Sequence, residues 1–156
     1  MTPHEKAAEF WHVYCSVSGT DPALAYQVWH FGNSAKMARD LAELVVARKK
    51  TATASLAAAN ALRPNETPLL DGFSVVTDID HEPICIVQTT EIRHLPFEEI
   101  DAQFAFDEGE GDLSYEYWLD VHWNYFTNEA HELGLEFNER SLICCERFRC
   151  LFVNEL

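Results

Sequence analysis

A β-hairpin signal in the middle of the chain narrows the folds that it can adopt. Residues 73–78 and 84–92 are two runs rich in β-branched and aromatic side chains, and Gly72 precedes the first of them. Residues 80–83, Asp-His-Glu-Pro, have the composition of a turn. The two runs therefore predict a pair of strands joined by this turn.

Two other segments have strand character. Residues 142–153 form an apolar run near the C-terminus and predict a final strand. Earlier in the chain, Thr51, Thr53 and Ser55 alternate with alanines, and a period of two suits a strand or an extended segment.

Helical patterns surround these strands. Residues 3–17 predict a first helix, because Thr2 can cap it and Pro3 suits its first turn. An amphipathic helix is predicted from residue 33 or 34 to about 48, and residues 26–32 before it predict a short helical or irregular stretch. Further helices are predicted at residues 57–62, 96–107 and, from 112 or 114, to 133. The pattern predicts an α+β fold with a small, largely antiparallel sheet or barrel flanked by helices.

The charge of the chain limits its partners. Asp and Glu number 26 against 11 Lys and Arg, which gives a formal net charge of −15. Proteins that track a nucleic-acid backbone gain affinity from Lys and Arg that displace counterions. The acidic composition therefore argues against an extended duplex partner and favours a small nucleoside-like ligand or, secondarily, single-stranded RNA.

Other bulk features exclude several classes of protein. The five cysteines are an odd number without a CxxC pair, and no Cys/His cluster has zinc spacing, so neither a metal nor a cofactor is expected. The longest apolar run is a few residues, so no membrane span is expected. The N-terminus lacks the layout of a secretory signal, and the cytoplasm is the expected compartment. The oligomeric state has no signal in the sequence.

The stretch from Arg48 to Ser55 holds the tightest basic patch of the chain, Arg48-Lys49-Lys50. Cations at the end of a helix are common, because they favour the negative pole of the helix dipole. A structural role for these residues therefore stands beside a functional one.

The same stretch resembles the signature of the ASCH domain family (activating signal cointegrator homology), Gly-x-Lys-x-x-Thr-x-Arg. Lys50 and Thr53 stand on the signature lysine and threonine, whereas Arg48 replaces the glycine and Ser55 the arginine. The resemblance, which is to the longer bacterial branch of the family, extends in order from about residue 26 to residue 148. It includes Trp29-His-Phe31-Gly32, Glu108-Gly-Glu-Gly-Asp112, Tyr117-Trp118 with His122-Trp123, and Cys145-Glu-Arg-Phe-Arg149.

This resemblance implies a PUA-like small β-barrel and a single domain over residues 1–156, with an N-terminal helical segment of about 1–32 and a core of about 33–153. Some small members of the family are amidohydrolases that remove the acetyl group of N4-acetylcytidine with a Lys, a Thr and a Glu. Carried over, the resemblance implies Lys50, Thr53 and Glu108 as catalytic residues, with Glu110 as the second choice for the acid. Other members are linked to RNA binding without catalysis or to ribonuclease activity, and these remain the alternatives.

The implied chemistry makes specific demands on the site. A threonine hydroxyl needs a base, and Lys50 serves as one only if burial lowers its pKa, an effect that Arg48 and Lys49 would reinforce. Glu108 would then donate a proton to the departing amine. Predicted substrate-binding residues are Trp29 and Phe31, which can stack on a base, together with Lys49, Ser55, Glu110 and Arg147. Arg147 is included as a replacement for the missing signature arginine.

The acidic loop offers a second chemistry. Glu108, Glu110 and Asp112, separated by glycines, have oxygens that suit Mg²⁺ or Mn²⁺ and metal-dependent phosphodiester cleavage. A glycine-rich loop that caps the next helix is the commoner explanation. The aromatic residues of the following helix are too dense for all to contact a ligand, and His122 among them is expected to be a packing residue.

Overall fold

The computed structural model describes residues 1–155. Its strands are β1 (Tyr26–Trp29), β2 (Ala52–Leu56), β3 (Phe73–Thr77), β4 (Pro83–Pro96) and β5 (Leu142–Val153). Its α-helices are α1 (Pro3–Ser18), α2 (Ala35–Val46), α3 (Ala57–Leu62), α4 (Ala102–Asp107) and α5 (Tyr115–Leu133). Short 3-10 turns at Pro64–Glu66 and Phe97–Glu99 complete the regular structure of these residues.

The five strands form one sheet in the order β1-β3-β4-β5-β2. The β1–β3 pair is parallel and the other three pairs are antiparallel. The predicted α+β class with a mostly antiparallel sheet flanked by helices is confirmed. The sheet is open in its hydrogen bonding, with β1 and β2 at its two edges, where the resemblance implies a small barrel.

The hairpin predicted around residues 73–92 is confirmed as β3 and β4. Strand β4 continues to Pro96 and pairs along its whole length with β5, from Cys85 opposite Val153 to Pro96 opposite Leu142. These two long strands form the centre of the sheet. Strand β5 then carries β2 on its other side, which brings residues 52–56 against residues 143–147.

Residues 26–32, expected to be helical or irregular, contain strand β1 instead. Tyr26, Val28 and Trp29 are residues that fit a pleated strand, and the segment pairs with β3 in parallel register. The stretch is too short for a local pattern to identify it, because its conformation depends on pairing with a distant strand. The N-terminal segment of residues 1–32 is therefore a helix followed by an edge strand.

The helices begin and end at recognisable caps. Thr2 and Glu5 form a capping box at the start of α1, Ser34 caps α2, and Ser114 caps α5. Gly134, with a φ of 68°, ends α5. No helix within residues 1–155 is long and apolar enough to span a membrane.

Two apolar layers cover the sheet near the site. One packs α4 and α5 against β2 and β5, and includes Ala52, Leu56, Phe104, Trp118 and Phe126. The other packs α2 against the central strands through a cluster that includes Phe31, Val45, Val76 and Phe148. Residues 47–51, which connect α2 to β2, lie where these two layers meet.

Candidate active site

The connection from α2 to β2 turns the side chain of Lys50 into the protein. The backbone amides of Lys49 and Lys50 both donate to the carbonyl of Leu44, at 3.0 and 3.1 Å, and Thr51 donates to the carbonyl of Asp107 at 2.9 Å. Arg48 has a φ of 62°, in the left-handed region that favours glycine. The glycine of the family signature stands at this position, so the turn explains that preference.

Lys50 is 1 % exposed and forms two ion pairs. Its Nζ lies 3.2 Å from Oε1 of Glu108 and 2.8 Å from Oε2 of Glu110. It also lies 5.4 Å from the centre of the Phe31 ring, a cation–π contact. The Lys and the two Glu predicted from the sequence are thus in direct contact.

Glu108 accepts hydrogen bonds from three groups and lies beside a fourth, His122. Besides Lys50, the backbone N–H of Ala54 donates to its Oε1 at 3.1 Å. Its Oε2 accepts from Nε1 of Trp118 and lies 3.1 Å from Nε2 of His122. Because β2 is an edge strand, the Ala54 N–H faces away from β5, and the carboxylate satisfies it there.

His122 is held between two acceptors. Its Nδ1 lies 2.9 Å from the carbonyl oxygen of Trp118, and its Nε2 faces the Glu108 carboxylate. A carbonyl and a carboxylate only accept hydrogen bonds, so this arrangement favours a protonated, positively charged imidazole. The ring also stacks on Trp118, with centroids 4.2 Å apart. The expected packing role of His122 is therefore accompanied by an ionic one.

The pKa values in this cluster favour charged forms. Burial alone would lower the pKa of Lys50, but Glu108 and Glu110 outweigh it and the pKa is raised. Burial alone would raise the pKa of Glu108, but Lys50 and His122 with their hydrogen bonds lower it to about 2. Burial would lower the pKa of His122, and Glu108 raises it overall.

These directions correct the expectation that Lys50 is partly neutral. Lys50 is protonated in this structure, and the two cations predicted to depress its pKa do not face it. Lys49 is exposed, and Arg48 is exposed and donates to the carbonyl of Cys150 at 3.1 Å. The Glu108 carboxyl is likewise ionised, so it has no proton to donate in this state.

Gly109 allows the acidic loop to approach Lys50. It has a φ of 71°, and a Cβ built on it would lie 2.4 Å from the carbonyl oxygen of Lys49. No other residue fits this contact without moving the backbone. The glycine next to Glu108 is thus required by the close packing of residues 107–109 on residues 49–51.

A cavity of about 600 Å³ is lined by residues of both edge strands, β1 and β2. Thr53, Ser55, Trp29 and Phe31 line it, so four of the residues predicted from the sequence share one cavity. The rings of Trp29 and Phe31 meet edge to face with centroids 4.9 Å apart. Lys50 and Glu108 are buried and do not line the cavity, but they contact two residues that do, Phe31 and Ala54.

Other predicted residues lie elsewhere or have other partners. The Ser55 hydroxyl accepts a hydrogen bond from Nδ2 of Asn60 at 2.8 Å. Arg147 does not reach the cavity, because its guanidinium pairs with Asp107 at 2.7 Å and Glu91 at 3.2 Å. Lys49 is exposed and outside the cavity. The structure therefore does not assign the missing arginine to Arg147.

Glu146 is a cavity residue that the sequence did not identify. It lies on β5 directly opposite Thr53, lines the cavity and is 4 % exposed. Its Oε2 accepts a hydrogen bond from the Thr89 hydroxyl at 2.5 Å. The alternation of Glu146 and Arg147 along the final strand means that only one of them faces the cavity. Nothing in the sequence indicates which.

The carboxylates predicted to bind a cation are not grouped as expected. Asp112 is exposed and its Oδ1 accepts from the Ser114 amide at 2.9 Å, so it belongs to the cap of α5. Glu108, Glu110 and His122 do form a compact group whose ligand atoms lie within 4.8 Å of one another. The Lys50 ammonium is bound to both carboxylates and occupies the place of a cation beside them, so the group does not fit a metal ion.

Known proteins are similar to this chain over most of its length, including the residues of the site. A family model described as the ASCH domain matches residues 27–152. An ASCH domain from Lactobacillus crispatus JV V101 has a TM-score of 0.86 and 30% identity, covering 95% of each chain. A protein from Enterococcus faecalis V583 has a TM-score of 0.85 and 27% identity, covering 96% of this chain and 90% of its own. A search of curated protein sequences gives no match.

Proposed function

This chain belongs to the ASCH domain family, with its PUA-like fold, and from that premise we propose that it hydrolyses a small amide, an acylated nucleoside resembling N4-acetylcytidine. The proposal rests mainly on one observation. Thr53 lines a cavity together with two aromatic rings, and the Lys50–Glu108 ion pair contacts two residues of the same lining, Phe31 and Ala54.

The size and lining of the cavity support a nucleoside ligand. Small-molecule sites have volumes of roughly 300–1,000 Å³, and this cavity of about 600 Å³ falls within that range. Trp29 and Phe31 supply aromatic surface for a flat base. Ser55 and Asn60 supply polar groups on the neighbouring wall.

The charge of the cavity supports a neutral ligand over RNA. Four glutamates line it, and Arg63, the one Lys or Arg among its lining residues, lies 3.4 Å from Glu129 and 4.0 Å from Glu66. Lys50 is neutralised by its own carboxylates. A phosphate would therefore meet more negative than positive charge, which disfavours phosphodiesters in this cavity. The acylated nucleoside accordingly stands ahead of single-stranded RNA as the ligand.

In the proposed reaction the Thr53 hydroxyl attacks the acyl carbon and forms an ester intermediate that water then cleaves. Lys50 is bound to Glu108 and Glu110 and fixes the position of the Glu108 carboxylate. Glu108 holds Lys50 and the Ala54 amide in place, so both Lys50 and Glu108 act as positioning residues beside the cavity lining.

Turnover of N4-acetylcytidine by the purified protein, with cytidine followed by chromatography, tests the proposal. We expect Thr53→Val to lower kcat by at least about a hundredfold, because the nucleophile is removed. Thr51→Val is the matched control: Thr51 lies two residues away, is exposed and is outside the cavity lining. We expect this control to keep the activity of the parent protein.

Two results would contradict the proposal. Equal activity of Thr53→Val and the parent protein would remove Thr53 as the nucleophile. Absence of turnover, combined with tight and salt-sensitive binding of a short single-stranded RNA, would replace hydrolysis by RNA binding, since phosphate contacts weaken steeply with salt.

A further inference from the structure

Strands β2 and β5 bring a second carboxylate to the face of the sheet that carries Thr53. Thr53 pairs with Glu146 in the antiparallel register, and both line the cavity. Directly opposed residues on one face have Cβ atoms roughly 4.5–5.5 Å apart. The two side chains therefore leave the sheet next to each other, whereas Glu108 lies outside the cavity lining.

Glu146 has one fixed oxygen and one available oxygen. The Thr89 hydroxyl, on β4, donates to Oε2 at 2.5 Å. Oε1 of Glu146 has no hydrogen-bond partner within residues 1–155. Since every fully buried side-chain nitrogen or oxygen in these residues has a partner, Oε1 is not fully buried. Oε1 is therefore accessible to solvent, and Glu146 lines the cavity together with Thr53.

The surroundings of Glu146 suit proton transfer better than those of Glu108. Burial raises the pKa of Glu146, and the Thr89 hydrogen bond and Lys50 oppose this without reversing it. Burial opposes ionisation of Glu108, but Lys50 and His122, together with the Trp118 hydrogen bond, leave it a weak base with a pKa of about 2. Proton transfer is most efficient when the pKa of the base lies near the working pH.

We propose that Glu146 is the acid/base residue that activates Thr53. This inference rests on the proposed hydrolysis. It supplies the base for the Thr53 hydroxyl, because a charged Lys50 cannot accept the proton. Thr89 holds the carboxylate in position, and Lys50, whose charge also acts on Glu146, limits how far its pKa rises.

The steps balance as follows. Oε1 of Glu146 takes the Thr53 hydroxyl proton as Thr53 Oγ1 bonds to the acyl carbon. The C–N bond then breaks, and the carboxylic acid of Glu146 gives that proton to the departing amine. In the second half, water loses a proton to Glu146 as its oxygen bonds to the acyl carbon. That proton returns to Thr53 Oγ1 when the ester C–O bond breaks, so amide and water become acid and amine.

Two measurements on Glu146→Gln test this role. The first is turnover of N4-acetylcytidine, where we expect kcat to fall by about a hundredfold or more, the usual contribution of a general base. The second is acetylation by p-nitrophenyl acetate, a generic acyl donor, followed by peptide mass mapping at Thr53. We expect Thr53 to be acetylated in the parent protein and much more slowly in Glu146→Gln.

Glu43→Gln is the matched control for both measurements, because Glu43 is an exposed carboxylate on α2 outside the cavity. It removes the same charge and is expected to react like the parent protein. Thr53→Val identifies background acetylation at other residues. A denaturation curve of each variant establishes that it is folded.

The outcomes separate the two proposals. Normal turnover and normal Thr53 acetylation in Glu146→Gln would overturn the role of Glu146 and leave the hydrolase proposal standing. Glu146-dependent acetylation of Thr53 without turnover of N4-acetylcytidine would support the Thr53–Glu146 pair and contradict the proposed substrate. No turnover and no acetylation at Thr53 in the parent protein would overturn both.

Discussion

Glu108 and Glu146 are two buried carboxylates on either side of β2, and they differ in almost everything except burial. They are 1 % and 4 % exposed. Glu108 accepts from Lys50, Ala54 and Trp118 and lies beside His122, whereas Glu146 accepts from Thr89. As a result, the pKa of Glu108 is lowered to about 2 and that of Glu146 is raised.

The difference shows that burial alone does not decide what a carboxylate does. Where donors and cations surround it, the carboxylate becomes a fixed ion that stabilises the fold. Where one hydroxyl supports it and a cavity lies in front, it keeps a proton more readily and has an oxygen free for chemistry. On this basis the family position Glu108 is an anchor of the site, and Glu146 is its reactive carboxylate.

Glu108→Gln should have the largest effect on stability. The substitution leaves the charges of Lys50 and His122 buried with only Glu110 to oppose them. Removing one partner of a buried ion pair costs roughly 3–5 kcal/mol. Urea denaturation measures the change, and Glu43→Gln, at an exposed position, is expected to remain within about 0.5 kcal/mol of the parent. A loss of less than about 1 kcal/mol in the free energy of unfolding would contradict the structural role that distinguishes Glu108 from Glu146.

Acid should destabilise the protein through the same residue. The pKa of Glu108 is lowered from its ordinary value of 4.5 to about 2 in the folded protein. Its contribution to the free energy of unfolding is therefore complete above pH 4.5 and is lost as the pH falls towards about 2. Urea denaturation across this range should show a steeper loss for the parent than for Glu108→Gln. Parallel curves would contradict the assigned charge state.

Local patterns predicted most of the secondary structure because caps and periodicity are properties of neighbouring residues. The bounds of β5, the capping of α1 by Thr2 and the end of α5 at Gly134 all follow from such patterns. Strand β1 did not, because its four residues become a strand only by pairing with β3. Its aromatic residues favour either a short helix or a strand until that partner is known.

The residues of the site also depend on contacts between distant parts of the chain. Lys50 and Thr53 came from the family signature and Glu108 from the wider family resemblance, since contacts between residues 58 positions apart leave no local pattern. Glu146 and Arg147 are adjacent on a strand, so one faces Thr53 and the other faces away. The choice depends on the β2–β5 register, which no local rule supplies. The charge of Lys50 also needed the structure, because two carboxylates oppose the effect of burial.

Gly109→Ala should weaken the packing around Lys50 and Glu108 without altering the surroundings of Glu146. The new Cβ would clash with the Lys49 carbonyl, and the positive φ of Gly109 adds backbone strain to the substitution. Gly134→Ala is the matched control, with a similar φ of 68° and open space around it. We expect about 1–2 kcal/mol for the control and a loss larger by about 1 kcal/mol or more for Gly109→Ala. Equal losses in urea denaturation would show that the loop does not press on Lys49.

Glu146→Gln should have the smallest effect and the opposite sign. A carboxyl whose folded pKa is raised penalises the folded state once it ionises, so the amide should stabilise the protein by on the order of 0.5–1 kcal/mol near neutral pH. The gain should be absent below the ordinary pKa of 4.5, grow as the pH rises, and level off above the folded-state pKa. Urea denaturation at about pH 4 and about pH 7 tests both the sign and the pH dependence. A loss of stability at neutral pH would mean that Glu146, like Glu108, is a structural ion. A gain in stability together with a loss of activity would show that Glu146 serves the reaction and destabilises the folded protein.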